Sequence, residues 1–432
     1  MAREEKLLQT LQKITNILNQ DLPQLASIIG PKSIQLEITN LCNLRCIMCD
    51  RWKWDTHLQG DLTKEDLFSL FDELASLNTQ HILFSGGEPL LRPDFKELVQ
   101  YLNQKGIAIT LITNGTLLTE DIATLLIKSD ATIIFSVDGS NDAIYSQIRG
   151  REGLLTKIIE NIKNVGKIKK SEKKGFISMH FVIQPFNLED VFSFFELAKT
   201  LSVDAVSYGI IHGPHIPEKG VGFKDEHLPH LKKTISELIK LQKNKNDIQI
   251  ELRPELYAIA EGQITSDALK SGLLVTELFK KDPVPCLTVI YWALIDAFGD
   301  VYPCCYAYFD NLDYESAKNL RNRLCFGNIH QSSFQEIWYG QKFNSFRKMM
   351  NPVQIENYPK VCGNCGSYFF FKEKWDRVIH FREKLKYIYE NIESNLVSIR
   401  NALLNCFASP IDRAPRPYES EMAQVIRKIF DF

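Results

Sequence analysis

The sequence lacks long apolar runs and has no strong excess of charge of either sign. Its 432 residues include 51 Lys and Arg against 53 Asp and Glu, for a net charge of −2. A near-neutral chain argues against a broad basic surface for nucleic acid. No segment reaches the length of a membrane-spanning helix, and the first residues predict an amphipathic helix, not a signal peptide. We therefore expect a cytoplasmic protein with neither a nucleic-acid nor a membrane partner.

Internal repeats and low-complexity segments are also absent, which argues against a repeat architecture and against long disordered linkers. What the chain does have is cysteine, with 10 residues. In a reducing compartment, cysteines in this number favour metal ligation over disulfides.

Three of these cysteines stand close together, after an apolar and β-branched segment. Cys42, Cys46 and Cys49 have the spacing CxxxCxxC. Three thiolates at this spacing can hold three corners of a [4Fe–4S] cluster and leave the fourth iron open to a substrate or cofactor. A zinc site, a disulfide pair and buried thiols are the alternatives that the triad alone leaves open.

From residue 33 to about 210, short β-branched runs alternate with longer stretches of helical periodicity. The predicted strands are 33–39, 81–85, 108–113, 132–137, 177–183 and 205–210. The predicted helices are 64–77, 93–105, 119–128, 154–167 and 188–201, with a further helix at 227–243. Thr63 and Asp94 have the character of helix N-caps.

This alternation predicts an α/β fold with a parallel sheet and helices outside it. Six strands fall short of the eight in a closed TIM barrel, so we expect a partial (β/α)6 TIM-like barrel, with ligands at the carboxyl ends of the strands. The cysteine-rich region after it predicts a small α+β domain. The expected divisions are an N-terminal helix, the barrel, a bridging or substrate-facing insertion, an auxiliary domain and a helical tail: 1–32, 33–210, 211–282, 283–371 and 372–432.

Four motifs follow four successive predicted strands. The cysteine triad comes first, then Gly86-Gly87-Glu88, then Asn114, then Ser136 to Asp138 with Arg149 further on. In this order the chain resembles the radical SAM superfamily over about residues 33–210. Many family members carry an aromatic residue just before the third cysteine, where this chain has Met48, whose thioether can pack against adenine.

The resemblance implies that S-adenosylmethionine binds the open iron and is reductively cleaved to a 5′-deoxyadenosyl radical, which takes a hydrogen atom from the substrate. Gly86 and Gly87 would let the backbone approach the ligand, and Glu88 would supply negative charge for its amino group. Ser136 and Arg149 are the candidates for its carboxylate. A surface salt bridge is the alternative for Arg149.

Asn114 and Asp138 are expected near the ribose or the substrate. For Asp138, a cap of the following turn is the alternative.

Four later cysteines form a second candidate site. Cys286 is followed by Gly299 and Cys304, and Cys362 and Cys365 form a CxxC pair. This pattern resembles the C-terminal auxiliary-cluster extensions of radical SAM enzymes, called SPASM domains or, when short, twitch domains. It implies a second [4Fe–4S] cluster, with strands at 289–297 and 300–303 that bring the first two cysteines together. A zinc ribbon is the alternative.

Cys305, Cys325 and Cys406 remain, and buried thiols are the default interpretation for all three. Cys305 is also a candidate catalytic residue. If it faces the barrel mouth, it could return a hydrogen atom to a substrate radical, as some epimerases of this superfamily require.

The resemblance implies an enzyme that modifies a ribosomally made peptide by crosslinking, epimerisation or excision, as many enzymes with this two-part layout do, although the count of four auxiliary cysteines favours a small-molecule substrate. The alternatives are a dehydrogenase or epimerase of a sugar, cyclitol or other small molecule, and a non-catalytic electron-transfer or scaffold protein. The expected partners are the substrate, an external electron donor of the flavodoxin or ferredoxin type and, for a peptide substrate, a separate peptide-recognition protein. His180, Tyr208, His212 and His215 are candidate substrate contacts, each also explicable as structural.

Overall fold

The protein is described from a computed structural model. The described residues are 30–49, 61–213, 216–217, 219–244, 247–272, 274, 286, 288–305, 324–350 and 365. Cys362, Cys406 and His215, and the predicted N-terminal helix and C-terminal tail, lie outside these residues.

Ten strands form one sheet in the described part of the chain. They are β1 Ser33–Glu37, β2 His81–Ser85, β3 Ala108–Thr113, β4 Thr132–Ser136, β5 Phe176–Ile183, β6 Ala205–Ile210, β7 Gln249–Leu252, β8 Trp292–Ile295, β9 Asp300–Tyr302 and β10 Gly327–Asn328.

Helices connect most of the strands. They are α1 Lys64–Ser76, α2 Phe95–Gln104, α3 Glu120–Lys128, α4 Asp142–Arg149, α5 Leu155–Glu172, α6 Val191–Lys199, α7 Leu228–Lys243, α8 Pro254–Ala260, α9 Ser266–Ser271, α10 Thr288–Tyr291, α11 Phe334–Tyr339 and α12 Gln341–Met349.

The strand order is β10-β9-β8-β1-β2-β3-β4-β5-β6-β7. Strands β1 to β7 pair in parallel with their neighbours, and β8 also lies parallel to β1. Only the pairings of β9 with β8 and with β10 are antiparallel. The sheet ends at β10 and β7, which do not pair with each other in the described residues, so the barrel is partial and open. The predicted fold class is confirmed.

All six predicted core strands are present, with bounds that differ by at most two residues. Strand β7 was not predicted, because four residues with an exposed Gln249 give too short an alternation to recognise. The segment predicted as a strand at 289–297 begins instead as helix α10 and becomes β8 only at Trp292. Because β7 lies within residues 211–282, this region contributes a strand to the main sheet.

Of the two predicted helix caps, one is correct. The Thr63 hydroxyl accepts from the Asp66 backbone N–H, and the Asp66 carboxylate accepts from the Thr63 N–H, which is a capping box. Asp94 makes no side-chain cap. Its carboxylate instead pairs with Arg92, whose Nη1 donates to the Ile38 carbonyl at 2.9 Å, so this pair ties the start of α2 to the segment after β1.

The two faces of the sheet differ in composition. One face packs against the helices through large apolar side chains such as Leu36, Phe84 and Phe181. The opposite face, here called the inner face, carries the alternate residues of each strand, several of them half-buried. These half-buried residues are Gln35, Leu83, Ile112, Ile134, Ser136, His180, Val182 and Trp292. The inner face is thus the partly open surface of the sheet.

Among the described helices, none is both long and apolar enough to cross a membrane.

Candidate functional site

The cysteine triad lies in the loop after β1, at the carboxyl end of the parallel strands. Cys46 is buried, whereas Cys42 and Cys49 are half-buried. The Cys49 N–H donates to the Cys46 carbonyl at 3.2 Å, which closes a turn between the last two cysteines. We call residues 39–49 the Cys loop.

The glycines after β2 hold one side of the Cys loop. The Gly87 N–H donates to the Thr39 carbonyl and the Glu88 N–H to the Leu41 carbonyl, both at 2.8 Å. A Cβ on Gly86 would lie 2.4 Å from the Thr39 oxygen, and one on Gly87 would lie 2.0 Å from the Leu41 oxygen. The close backbone approach expected at these glycines is therefore made to the Cys loop itself. An approach to a ligand stays a prediction.

The carboxyl-terminal end of α4 holds the other side of the loop. The Ile47 N–H donates to the Ile148 carbonyl at 2.9 Å, and the Arg45 N–H to the Arg149 carbonyl at 3.3 Å. Gly150 has φ 72°, and a Cβ there would lie 2.3 Å from the Arg45 oxygen. Only glycine meets both requirements without strain, so the chain can turn away tightly under the loop.

Arg149 and Asp138 form a buried ion pair beside Cys46. Arg149 Nη2 lies 2.6 Å from Asp138 Oδ2, and Arg149 Nη1 lies 3.7 Å from Cys46 Sγ. Asp138 Oδ1 also accepts from the Val182 N–H at 2.7 Å. The surface salt bridge considered for Arg149 is thus wrong, because both side chains are buried. The pair places a guanidinium against one thiol of the triad.

This guanidinium offsets the cost of a buried thiolate. Burial raises the pKa of Cys46 to about 11, with smaller contributions from Cys49 and Cys42, while Arg149 acts in the opposite direction. The nearby Asp138 carboxylate keeps Arg149 protonated, because its charge raises the pKa of the guanidinium. Burial also raises the pKa of Cys42, with smaller contributions from the charges of Glu88 and Cys49.

Glu88 is buried and hydrogen-bonded at the same end of the sheet. Its Oε1 accepts from the Thr113 hydroxyl at 2.7 Å and the Leu90 N–H at 3.2 Å, and its Oε2 accepts from the Asn114 N–H at 2.8 Å. Burial nevertheless raises its pKa to about 6. These donors tie the carboxylate to the end of β3, and its contact with a ligand's amino group stays a prediction.

Asn114 braces the Cys loop from the end of β3. Its Nδ2 donates to Asn43 Oδ1 at 2.8 Å, and Asn43 Nδ2 donates to the Thr116 hydroxyl at 2.8 Å. Asn43 stands between the first two cysteines, so this bridge fixes the middle of the triad. Nothing in the local sequence signals it, because the two asparagines are 71 positions apart.

Ser136 ends β4 on the inner face, in register with His180 on β5. It is half-buried, so its hydroxyl is in a position that a small ligand can reach. Its assignment to a ligand carboxylate stays a prediction. The neighbouring candidate Tyr208 is different, because it is fully buried on the helix side and its hydroxyl donates to the Val191 carbonyl at 3.0 Å. Tyr208 is a core residue.

The residues of the Cys loop fit an iron–sulfur cluster with three thiolate ligands. Two buried donors beside Cys46 have no hydrogen-bond partner in the described part of the chain, the Tyr145 hydroxyl and Arg149 Nε. Buried donors near a thiol cluster suit the negative charge of thiolates and sulfides. No three His, Cys, Asp or Glu side chains of the described residues converge closely enough for a single ion. The thiolates that hold a cubane cluster can lie further apart than the ligands of one ion, since each thiolate binds a different iron atom.

Of the predicted auxiliary cysteines, Cys304 lies toward the opposite end of the sheet. Cys304 follows β9, in which Tyr302 pairs with Leu294, and Leu294 is in register with Gln35 of β1. Cys304 therefore extends toward the amino end of β1, whereas the triad follows its carboxyl end. Both Cys286 and Cys304 pack against the main hydrophobic core. At about 3.3 Å per residue, the strand between the two thiol sites is about 16 Å long.

Cys305 lies on the other side of the β8–β9 hairpin from Cys304. It packs, with Cys325 and Trp292, against the buried side chains of Leu294 and Tyr302. Leu294 is on the inner face, so Cys305 is on that face as well, but near the amino end of β8. The role of Cys305 as a hydrogen-atom donor stays a prediction.

Comparison with protein families supports the assignment of both thiol sites. The model of the radical SAM superfamily matches residues 36–198, and the model of the SPASM iron-sulfur cluster-binding domain matches residues 286–366. The first match contains the triad, and the second contains Cys286, Cys304, Cys362 and Cys365.

Curated relatives match most of the chain. The AdoMet-dependent heme synthase of Methanosarcina barkeri is 27% identical over 346 residues, which cover 78% of this chain and 91% of that protein. The mycofactocin maturase MftC of Mycobacterium tuberculosis is 26% identical over 356 residues, covering 78% of this chain and 76% of the relative.

Solved structures share the fold. Streptococcus suis SuiB bound to its precursor peptide SuiA has a TM-score of 0.55 at 14% identity, with coverage of 74% of this chain and 67% of that one. The enzyme anSMEcpe with bound AdoMet and a peptide has a TM-score of 0.50 at 19% identity, with coverage of 82% and 99%. The domains imply S-adenosylmethionine, a [4Fe–4S] cluster and auxiliary iron–sulfur binding, and the ligation of the cluster by the triad stays a prediction. The chain belongs to the radical SAM superfamily and is an enzyme of that superfamily with a C-terminal SPASM domain.

Proposed function

We propose that the protein modifies a ribosomally made peptide by hydrogen abstraction at the carboxyl end of its partial barrel. Bound at the triad, a cluster with S-adenosylmethionine supplies a 5′-deoxyadenosyl radical. The observation that carries the proposal is the combination of the braced Cys loop with a sheet that stays open between β7 and β10 in the described residues. An open sheet admits a chain that is larger than a metabolite.

The protein's own residues have defined tasks in this proposal. Arg149 stabilises the thiolate of Cys46, and Asp138 holds the guanidinium in place. Glu88 and Asn114 fix the ends of β2 and β3 against the Cys loop. Ser136 and the half-buried side chains of the inner face are available to the ligand and to the substrate. The site is therefore built before any ligand arrives, which lowers the entropic cost of productive binding.

Relatives and structural neighbours support a peptide substrate. One relative is a mycofactocin maturase, and SuiB and anSMEcpe have been crystallised with peptides. A second candidate is a small molecule of the tetrapyrrole type, favoured by the 27% identical heme synthase, which the chain covers over 91% of its length. The apolar half of the inner face, with Leu83, Ile112 and Ile134, would suit such a ligand. The sugar or cyclitol alternative has no comparable support.

The net reaction decides what must accompany hydrogen abstraction. Removal of one hydrogen atom leaves a substrate radical. Crosslinking or oxidation requires this radical to lose one more electron, for which the auxiliary site is the proposed acceptor. Epimerisation requires a hydrogen atom to return, and Cys305 is the proposed donor. An external electron donor of the flavodoxin or ferredoxin type would reduce the cluster at the triad, and a separate recognition protein would present the peptide.

The first test is the release of 5′-deoxyadenosine from S-adenosylmethionine by the anaerobically reconstituted, dithionite-reduced protein. We expect wild type to release it and the triple variant Cys42→Ala, Cys46→Ala, Cys49→Ala to release none above the protein-free background. Equal release by both proteins would refute the assignment of the triad. Cys325→Ala is the matched control, because it removes a thiol that belongs to neither site.

Substrate class is tested next by incubating the active enzyme with precursor peptides from its own genome and, separately, with iron coproporphyrin. A change in the mass of a peptide supports the proposal if the change occurs only in the presence of S-adenosylmethionine. A change in the porphyrin alone supports the second candidate.

A further inference from the structure

The far side of the inner face carries an exposed arginine, Arg253, that makes no ion pair with any residue in the described part of the chain. Arg253 directly follows β7 and is exposed. Its backbone N–H donates to the Tyr208 carbonyl at 3.0 Å, which continues the register of β7 with β6. Its guanidinium forms no ion pair with any described residue. The residue is thus fixed by the sheet while its charge remains available.

Gly209 creates open space beneath this arginine. Gly209 lies on β6 in register with Val182 of β5, on the inner face. A Cβ at Gly209 would lie 3.5 Å from Arg253 Cγ and 3.6 Å from His180 Cε1. These are ordinary contact distances, so both side chains border a strand position that has no side chain of its own. Any larger residue at 209 would fill this space.

His180 adds a polar ring without adding charge. It stands on the inner face of β5, and burial lowers its pKa to about 3, assisted by the positive charges of Arg253 and Arg149. The imidazole is therefore neutral at pH 7. In the sheet, His180 is in register with Ser136 of β4 on one side and with Ser207 of β6, two residues before Gly209, on the other.

A second observation at the same edge points to a ligand. The side-chain amide of Gln184, just after β5, is fully buried, and both Nε2 and Oε1 have no hydrogen-bond partner among the described residues. By strand alternation Gln184 continues the row of His180 and Val182 on the inner face. Unpaired buried amides are rare, because leaving them unsatisfied costs about 1–3 kcal/mol.

The acidic group nearest along β7 does not neutralise the arginine. Glu251 lies two residues before Arg253 on the same face, and its Oε1 accepts from Gln249 Nε2 at 3.3 Å. It sits one step nearer the amino end of the strand. An anion at Arg253 would therefore meet a guanidinium and neutral donors at the carboxyl edge, with Glu251 behind it.

We propose that Arg253, with His180 beside it over Gly209, binds an oxyanion of the substrate, a carboxylate or a phosphate, and so orients the substrate across the inner face toward the Cys loop. This subsite rests on the proposed function, since it deepens the description of the same substrate. A planar guanidinium offers paired N–H donors that match two oxygens of a carboxylate or phosphate. The triad stands at the same carboxyl edge of the sheet, after β1, six strands away from β7 in the strand order.

The test is calorimetric titration of the reconstituted protein at pH 8 with glutarate as the probe and neutral glutaramide as its isostere. We expect glutarate to bind at least tenfold more tightly than glutaramide. Arg253→Ala should lose this tenfold preference, Arg253→Lys should keep part of it, and Gly209→Val should weaken glutarate binding by filling the space. Lys233→Ala removes an exposed cation on α7 and should match wild type.

Inorganic phosphate forms the second arm. Displacement of glutarate by phosphate at lower concentration than by acetate identifies a phosphate-bearing substrate, and the reverse order identifies a carboxylate. Equal glutarate affinity in wild type and Arg253→Ala, at equal iron content and circular dichroism, would overturn the subsite. If Arg253→Ala fails to fold, the comparison of Gly209→Val with Lys233→Ala decides. These titrations use no S-adenosylmethionine and no reductant, so their failure is distinct from failure of the proposed function.

Discussion

The two ends of the parallel sheet bury polar residues in opposite ways. At the carboxyl end, the Asp138–Arg149 ion pair and Glu88 are buried beside the Cys loop. At the amino end, Ser33, His81 and Thr110 form a neutral chain in which the imidazole Nδ1 lies 2.9 Å from the Ser33 hydroxyl and Nε2 lies 2.8 Å from the Thr110 hydroxyl. Both sets are buried, but only the first is charged.

This difference indicates that the carboxyl end is suited to a reaction, whereas the amino end has a structural role. Buried charges cost free energy and are kept where chemistry needs them. The neutral chain of the amino end satisfies its own hydrogen bonds and needs no ligand. At the carboxyl end, donors remain unpaired beside Cys46, namely the Tyr145 hydroxyl and Arg149 Nε. Unpaired buried donors of the described residues are thus present at the end where S-adenosylmethionine is proposed to bind, and others, such as Trp338 Nε1 and Arg347 Nη2, lie in the C-terminal region.

The two thiol sites also differ in the charge of their surroundings. Cys46 lies against a guanidinium, whereas Cys286 and Cys304 pack against the apolar core. The first arrangement suits a cluster that must accept an electron and bind a charged ligand. The second suits a cluster enclosed by protein ligands alone.

The largest effect that separates the sites is expected on iron content. The quadruple variant Cys286→Ala, Cys304→Ala, Cys362→Ala, Cys365→Ala should fall from about eight to about four irons per chain, since each cubane holds four. It should still release 5′-deoxyadenosine, because the triad is intact. Iron and sulfide analysis after anaerobic reconstitution measures the loss. Retention of about eight irons would show that these cysteines are not ligands.

Removing one partner of the buried ion pair should strongly destabilise the carboxyl end. Arg149→Ala leaves the Asp138 carboxylate buried without its cation, and we expect a loss of about 3–5 kcal/mol in the free energy of unfolding. Urea denaturation of the iron-free protein at pH 7 measures it. The double variant Asp138→Asn, Arg149→Met removes both charges and should lose clearly less. Equal losses in both variants would mean that packing, not charge, sets the effect.

The neutral chain at the amino end predicts a pH dependence of stability. Burial lowers the pKa of His81 to about 4, below the value of about 6.5 for an unfolded chain. The unfolded chain therefore binds a proton that the folded protein does not between these pH values. The contribution of neutral His81 to the free energy of unfolding is therefore complete above pH 6.5. It decreases by about 3 kcal/mol as the pH falls to 4.

The difference in the free energy of unfolding between wild type and His81→Gln isolates this contribution, because other groups titrate in both proteins. It should change by about 3 kcal/mol between pH 7 and pH 4. Gln331→Ala, at an exposed position without a titratable group, should show no such change. A His81→Gln difference that stays constant with pH would contradict a neutral, buried imidazole.

The smallest of these effects concerns the brace of the Cys loop. Gly87→Ala would place a Cβ 2.0 Å from the Leu41 carbonyl oxygen, so the loop must shift. We expect a loss of about 1–3 kcal/mol, typical of overpacking, and reduced iron at the triad. At Gly106 a Cβ would meet nothing within 4 Å, so Gly106→Ala should keep the iron of the triad. Its stability should fall only because alanine is disfavoured at a positive φ. Full iron content in Gly87→Ala would contradict the brace.

Sequence reasoning succeeded where the signal is local. The six strands of the core, the cysteine triad and the order of the motifs all follow from alternation and spacing within short windows. The same is true of the Thr63 capping box, whose partner Asp66 is three residues away. Local patterns predicted which elements exist and at which end of the sheet the chemistry lies.

What sequence reasoning missed depends on distant partners. The bridge of Asn114 to Asn43, and the tie of the Gly87 N–H to the Thr39 carbonyl, join segments far apart in the chain. The parallel pairing of β8 with β1 joins strands that are more than 250 residues apart. Residue types alone could not show that Gly86 and Gly87 approach the Cys loop, because glycine is equally suited to a ligand contact.

The most direct test of the central claim is electron paramagnetic resonance of the dithionite-reduced quadruple-alanine variant, which retains only the triad. Addition of S-adenosylmethionine should change the g-values of its cluster signal, because the ligand binds the open iron. The change should be absent in the triple-alanine variant, which retains only the auxiliary site. An unchanged signal in the quadruple variant, at full occupancy of four irons, would contradict the account that the carboxyl end of this sheet is where S-adenosylmethionine binds.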